Sequence, residues 1–470
     1  LVIIFKVWQE AGWFKKDDGE RQMKRGGRQS ENSLSLGLIL RALNSRNYRL
    51  FFTGQSVSLI GTWMQNIAMS WLVYRLSHSP FLLGVVSFAG DIPMFILMPF
   101  AGVAADRFNR RRIIIATQSL MMLQAFLLSG LVLSHLIKIW HLVALSVFLG
   151  ILNSFDMPSR QAFVIEMIEK KEDLPNAIAL NSSIFNLARL LGPSIAGILI
   201  AAIGEGLCFL INGLSFAAII AALLAMRITE KPIPDQLANH LAALKQGVSY
   251  AYSFLPIRYI LSLLAVVSMM GASYTVLMPI FAKDILKGHS YTLGFLMAAG
   301  GAGALAAAIY LASRKTIIGL GRMIPMATGL FAAGLMVLAL SRHFALSIAV
   351  MPLIGFGLMT QMASCNTLIQ TIVEDDKRGR VMGIYAMAFR GVAPIGSLIA
   401  GALAAKIGAA NAVLIGAGVC IAAAFLFARK LPALRKIIRP IYVKQGIIPE
   451  VAAGIRSASE ASLPPKDQVS

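Results

Sequence analysis

Long apolar runs and short polar breaks alternate along this 470-residue chain at nearly even spacing. The runs fall near 48–74, 80–105, 111–134, 140–167, 176–203, 207–227, 258–282, 292–313, 323–341, 344–373, 381–405 and 410–429. A helix needs about 20 apolar residues to cross ~30 Å of hydrocarbon, and each run is of that order. The pattern predicts an all-α integral membrane protein with twelve transmembrane helices. The longest internal break divides them six and six. The predicted organisation is a basic N-terminal segment (1–47), a six-helix bundle (48–227), a linker (228–257), a second six-helix bundle (258–429) and a tail (430–470). Within the linker, Gln236–Phe254 carries apolar residues at helical spacing and predicts an amphipathic surface helix. Leu34–Arg46 and Lys430–Lys444 read as further surface segments, and residues 446–470 as disordered. Val2–Val7 is too short to span, no signal peptide is read, and Met23 is an alternative start to Leu1.

Charge changes this picture by giving it a direction. The chain is 57% hydrophobic and only 14% charged, against about 25% charged for soluble domains. Of its 43 lysines and arginines, six (Arg75, Lys138, Lys283, Lys287, Arg342, Lys406) sit in loops on one side. Arg160, Arg189 and Arg390 lie within predicted helices, and the other 34 fall in the termini and the opposite loops. Loops rich in Lys and Arg stay in the cytoplasm, so both termini are expected there. The net charge of +21 does not predict nucleic-acid binding, because the cations are confined to short loops and tails. The three cysteines, Cys208, Cys365 and Cys420, and the six histidines show no metal-ligand spacing. No phosphate-binding G-x-x-x-x-G-K-[ST] occurs. Neither an enzyme, a cofactor nor a metal is expected. The expected partners are the bilayer, protons and a small molecule, and the expected state is a monomer.

The two halves echo each other. Gly61, Gly84 and Gly90 fall on Gly271, Gly294 and Gly300 at one offset, and Gly192, Gly197 and Gly204 fall on Gly396, Gly401 and Gly408 at a nearly equal one. Such coincidences suggest a duplicated six-helix unit, the way many transporters build alternating access around a central site.

Charges inside the bilayer are costly, which makes them the first candidates for function. Asp91 lies near the middle of helix 2 and reads either as a hydrogen-bonded structural carboxyl or as a protonatable group facing a cavity. Asp156 and Arg160 are one turn apart on helix 4, with Pro158 between them, and Arg189 on helix 5 is a candidate to join them; all four are proton-coupling candidates, with a static ion pair as the alternative. Gln55, Trp63, Gln65 and Asn66 on helix 1, Asn181 on helix 5, and Gln361 and Asn366 on helix 10 are candidates to line the cavity. Each of these fits an interhelical hydrogen bond or a lipid contact equally well.

Two stretches carry a family resemblance. Between helices 2 and 3 runs Gly102-Val103-Ala104-Ala105-Asp106-Arg107-Phe108-Asn109-Arg110-Arg111-Arg112, which resembles the signature loop of the major facilitator superfamily. Asn109 stands where that family usually has Gly, and Asn tolerates a left-handed backbone. On helix 5, Gly192-Pro193-Ser194-Ile195-Ala196-Gly197 resembles the antiporter motif of the superfamily's drug exporters, with Ala196 replacing a Gly. Together with Asn47–Phe52, Asp156–Phe163 and Asn176–Ser182, these residues look like the branch containing the enterobactin exporter and the transmembrane secretion effector proteins. The resemblance implies the major facilitator fold, with two pseudo-symmetric six-helix bundles, in a bacterial inner membrane. It also implies a proton-driven exporter of a siderophore, drug or other small amphipathic molecule. Under it, Gly102, Asp106, Arg107, Arg110, Arg111 and Glu166 form a conformational latch, with Glu166 pairing Arg110 or Arg111. Arg314-Lys315 and Glu374-Asp375 are a reduced counterpart in the second half. An importer or lysophospholipid flippase on the same fold is the alternative, and a non-transporting receptor or scaffold a remote one.

Overall fold

Several breaks between apolar runs are made by residues suited to ending or starting a helix. Ser79 caps the helix that begins at Pro80, where a missing N–H costs nothing. The Asn109 side chain accepts from the Arg112 N–H and caps the next helix. His78 closes the first helix in the left-handed region at φ 47°. Gly204 and Gly408, at φ 80° and 86°, turn the chain where most other residues are strained.

The computed structural model describes residues 41–227, 249–314, 316–445 and 447. Twelve helical spans follow among them: α1 Arg46–Ser77, α2 Pro80–Arg107, α3 Arg110–Leu133, α4 Ile139–Phe163, then Leu174–Ala225, which the turn at Gly204 divides into α5 (174–203) and α6 (205–225). The second set is α7 Leu255–Ile285, α8 Ser290–Ala312, α9 Leu320–Leu340, α10 Phe344–Ile372, α11 (375–407) and α12 Ala409–Lys444. Short π-helical turns interrupt α7 at Val267–Ala272 and Phe281–Ile285, and α11 at Met387–Gly391. The fold is all-helical and membrane-spanning. Helix α1 is the most polar span, because it buries Gln55 and Gln65 and exposes Asn66.

Three expectations on boundaries change. The break between the fifth and sixth helices shrinks to Gly204 alone. Helix α11 starts at Asp375, not 381. The stretch 430–444 is not a separate surface segment but the continuation of α12, straight through Pro432 and Pro440. Most of the expected linker helix, most of Leu34–Arg46, and the tail from 448 lie outside the described residues.

Packing repeats in the two sets. Helix α2 lies on α4 and α3 on α6, while α8 lies on α10 and α9 on α12. The glycines that coincide by offset occupy matching seams. Gly150 faces the Gly90 carbonyl across α4 and α2, and Gly355 faces the Gly300 carbonyl across α10 and α8. Two further glycine pairs join one bundle to the other. A Cβ on Gly401 of α11 would stand 2.8 Å from the Pro80 carbonyl oxygen of α2, and one on Gly197 of α5 would stand 2.9 Å from the Ser290 oxygen of α8. Neither seam admits a side chain without moving backbone.

Candidate functional site: the interface between the bundles

The bundles meet along α2–α11, α5–α8 and the ends of α1 and α7. Ser87 donates to Ser397 at 3.2 Å across the first seam, and Ser290 donates to the Gly197 carbonyl at 3.0 Å across the second. Tyr74, at the end of α1, donates to Asp284 at the end of α7, with the Lys283 ammonium 5.8 Å from the Tyr74 ring. These contacts lie toward the end of the molecule away from the Asp106–Arg112 turn.

Deeper in, charges from separate helices converge. Asp91 is exposed on the face of α2 that looks toward α11. One turn on, Phe95 packs against Gly391 of α11. Arg390, carried by the π-helical turn of α11, is the charge within electrostatic reach of Asp91, and its Nη1 lies 3.2 Å from the Met157 sulfur of α4. Arg390 therefore touches α4 of the opposite bundle and acts on the charge of α2. The sequence marked it only as an in-helix cation; no local spacing links positions 91 and 390.

Asp156 is fully buried inside the first bundle, where one oxygen accepts hydrogen bonds and the other has only an ion-pair partner. Thr117 Oγ1 and Gln118 Nε2 donate to its Oδ1 at 3.0 and 2.8 Å, and Arg160 forms an ion pair with its other oxygen. Arg189 does not join that pair. Its electrostatic neighbour is Tyr274 of α7, in the other bundle. The reason is geometric: Arg189 sits where α5 leans on α8, with its carbonyl against Gly301.

The polar candidates divide. Gln65 does not line the interface: it is buried within the first bundle, bonded to Gln124 at 3.1 Å and to Asn212 at 2.7 Å. Gln55 and Gln361 are buried as well, and each has an oxygen without a partner. Asn66 is exposed, Asn181 is half-buried, and Asn366 accepts from Gln370 at 2.7 Å. Trp63 stacks edge-on with Phe185 at 5.9 Å and lies against Gly192. The motif on α5 is thus divided between two partners, with Gly192 on α1 and Pro193 and Gly197 on α8, while Ala196 is buried.

At the opposite end, Arg110 reaches Glu166 at 2.7 Å, from the start of α3 to the turn after α4, and reaches Asp106 at 3.5 Å. Arg111 goes elsewhere, donating to the Leu223 and Leu224 carbonyls at 2.9 and 3.1 Å and so satisfying the end of α6. Arg107 is exposed and Gly102 half-buried. Asn109 is not left-handed, with φ −59°; it serves as the α3 cap.

Residues 40–440 match the family described as transmembrane secretion effector. The chain belongs to this family of the major facilitator superfamily. As a member it is a secondary transporter of small molecules and not an enzyme. It is 26% identical over 352 residues to the staphyloferrin A transporter of Staphylococcus aureus, a match covering 75% of this chain and 88% of that one. It is 25% identical over 355 residues to the multidrug efflux pump Tap of Mycolicibacterium fortuitum, covering 73% and 86%. Among solved structures, a POT family transporter in complex with a thioalcohol-conjugated peptide superposes with a TM-score of 0.65 at 12% identity, covering 83% of this chain and 96% of that one. That likeness establishes the major facilitator fold. Within this family frame, the turn from Gly102 to Arg112 and the facing charges Asp91 and Arg390 mark two different levels of the molecule, one at an end and one between the bundles.

Proposed function

We propose that this transporter is a proton-coupled exporter of a siderophore, drug or other small amphipathic molecule, working by alternating access with Asp91 as the proton-carrying group. The observation that carries the reading is Asp91 itself, an exposed acid inside a spanning helix that faces a cation of the other bundle. Ionised, it attracts Arg390 across the interface; protonated, it does not. Two unit charges brought to about 4 Å interact by about 4 kcal/mol at an effective dielectric of 20, the upper limit of what this pair can supply as the bundles close on each other. That is the order of the ~5.5 kcal/mol that carries a two-state equilibrium from 1:99 to 99:1. A proton on Asp91 therefore biases how the bundles sit against each other, which is what coupling requires.

Direction rests on three supports. Pro193 and Gly197 of the Gly192–Gly197 stretch lie in the α5–α8 seam. The relatives include an efflux pump and a siderophore transporter by name. On the positive-inside reading the basic loops put their own end in the cytoplasm, and the Ser87–Ser397, Ser290–Gly197 and Tyr74–Asp284 contacts then lie at the far side. Met157 and the Trp63–Phe185 pair supply adaptable apolar surface for an amphipathic substrate.

The test uses the protein in proteoliposomes with an imposed pH gradient and a panel of iron chelators and dyes. A pH gradient is expected to drive accumulation in the wild type, while Asp91→Asn gives only downhill movement and Asp91→Glu keeps partial coupling. Gradient-driven accumulation by Asp91→Asn with unchanged pH dependence would overturn the assignment.

A further inference from the structure

Helices α6 and α12 hold equivalent places, one after each left-handed glycine, Gly204 and Gly408. Helix α6 ends at Ala225, which the same offset places on Arg429. Helix α12 goes on to Lys444, 36 residues in all and about 54 Å at 1.5 Å per residue. The duplicated fold does not need those additional turns. They are held down on one side only, by buried Leu434 and Ile438 and by Gln445, which donates to the Thr371 carbonyl of α10 at 2.8 Å.

The other side carries charge of one sign. From 429 to 444 there are six cations and no acid, and all six cations are exposed. Among the described residues Arg435, Lys436 and Arg439 form no ion pair, while Lys444 has Glu374 nearby. The face they occupy continues an apolar one. Phe425 and Leu426 are 55% and 62% exposed, and Arg429 and Lys430 follow one turn later on the same stripe, the Arg429 guanidinium lying 4.4 Å from the Phe425 ring centroid. An outward face that changes from large apolar side chains to unpaired cations within one turn crosses from the hydrocarbon to the headgroup layer.

We propose that the α12 extension is a binding surface for anionic phospholipid headgroups in the leaflet on the basic-loop side. The apolar stripe below it holds the acyl chains, and Arg429, Lys430, Arg435, Lys436 and Arg439 hold the headgroup phosphates. Charge complementarity selects this occupant: the neighbouring leaflet supplies negative charge at that level, and this helix supplies no negative charge to repel it.

The test is thermal unfolding of the full-length protein in detergent, titrated with phosphatidylglycerol, phosphatidylcholine or inorganic phosphate. Phosphatidylglycerol is expected to raise the unfolding temperature by several degrees over phosphatidylcholine. The variant Arg435→Gln/Lys436→Gln/Arg439→Gln should lose more than half of that difference. Its unfolding temperature in phosphatidylcholine alone reports on folding and is expected to match the wild type. Equal shifts with both lipids, an unchanged phosphatidylglycerol shift in the variant, or the same shift from inorganic phosphate would each overturn the proposal. If the triple variant is unstable in phosphatidylcholine, the charge-conserving Arg435→Lys/Arg439→Lys variant takes its place and must keep the wild-type shift.

Discussion

Helices α4 and α10 are the same piece of scaffold with different chemistry. Gly150 and Gly355 make the same close contact with a partner glycine in α2 and α8. Carried along at the same spacing, Asp156 falls on Gln361, Ser159 on Ser364 and Arg160 on Cys365. All of these but Arg160 are buried, and Ser159 and Ser364 both have hydroxyls without a partner. In α4 the acid holds Thr117, Gln118 and Arg160. In α10 the amide oxygen has no partner and the nitrogen lies 3.6 Å from the Cys365 sulfur. A six-helix bundle of this kind therefore packs without an ion pair at that position. Buried ion pairs are poor stabilisers relative to neutral neighbours, because desolvation offsets their attraction. The comparison separates what builds the bundle, which is glycine and shape, from what only the first bundle has been given, which is charge.

The largest expected effect comes from breaking that charge on one side. Asp156→Asn leaves the Arg160 guanidinium without its counter-ion and should cost about 3–5 kcal/mol of stability, read as a large drop in unfolding temperature in detergent. Asp156→Gln combined with Arg160→Cys writes the second bundle's pair into the first and should recover most of the loss. Gln361→Leu removes an unsatisfied oxygen and is expected to cost less than about 1 kcal/mol. A double variant as unstable as the single one would mean that the first bundle requires the ion pair for packing, and the comparison would fail.

A second, smaller effect tests whether the two inter-bundle seams are equivalent. Gly197→Val and Gly401→Val each force a side chain into backbone, at a cost of about 1–3 kcal/mol in the closed arrangement. Both should favour the state in which that end is open. The readout is labelling of Tyr74→Cys by an impermeant maleimide, with Cys208, Cys365 and Cys420 buried and out of reach. Faster labelling in both variants is expected. An effect confined to Gly197 would show that the α5 stretch is special and that the pseudo-symmetry stops at the seam.

The sequence made the architecture legible because both of its signals are local. Apolar run length gives the spans, and an offset common to many glycines gives the repeat. Glycine works as a marker because close approach of two backbones admits nothing else. The inter-bundle partners were not legible in the same way. Arg390 comes within electrostatic reach of Asp91, and Arg189 of Tyr274, only after two bundles have folded and docked. Tyr74 and Asp284 are a partial exception, since they stand 210 residues apart, the offset of Gly84 and Gly294, and so meet as equivalent positions of two repeats. Polar residues on α1 left two readings open for a physical reason: a Gln on a spanning helix satisfies hydrocarbon avoidance as well by bonding inward, as Gln65 does to Gln124 and Asn212, as by facing a cavity.

The smallest effects should come from the two turns at the basic end. In the first bundle Arg110 and Glu166 are 56 residues apart, and their contact ties the start of α3 to the turn after α4. In the second, Glu374 finds Lys377 at 2.5 Å within one helical turn, and among the described residues Arg314 bonds to its own neighbourhood, Tyr310 and Ile318. The first contact joins elements that can move apart; the second cannot report on their movement. Glu166→Gln and Arg110→Gln should each slow transport several-fold while leaving substrate binding within about two-fold. The double variant should be hardly worse than either, giving a coupling of about 1 kcal/mol. Glu374→Gln and Lys377→Gln should leave transport unchanged. The hydrogen bond and charge of Lys377 hold the Glu374 carboxyl below its ordinary 4.5. What that pair contributes is present above the unfolded value and is lost only as pH falls through the lowered one. Over the neutral range in which transport is measured, this turn should therefore be silent in both pH dependence and rate. Additive losses at Arg110 and Glu166, or a change of rate at Glu374 between pH 6 and 8, would show that the two turns are not the unequal devices their geometry describes.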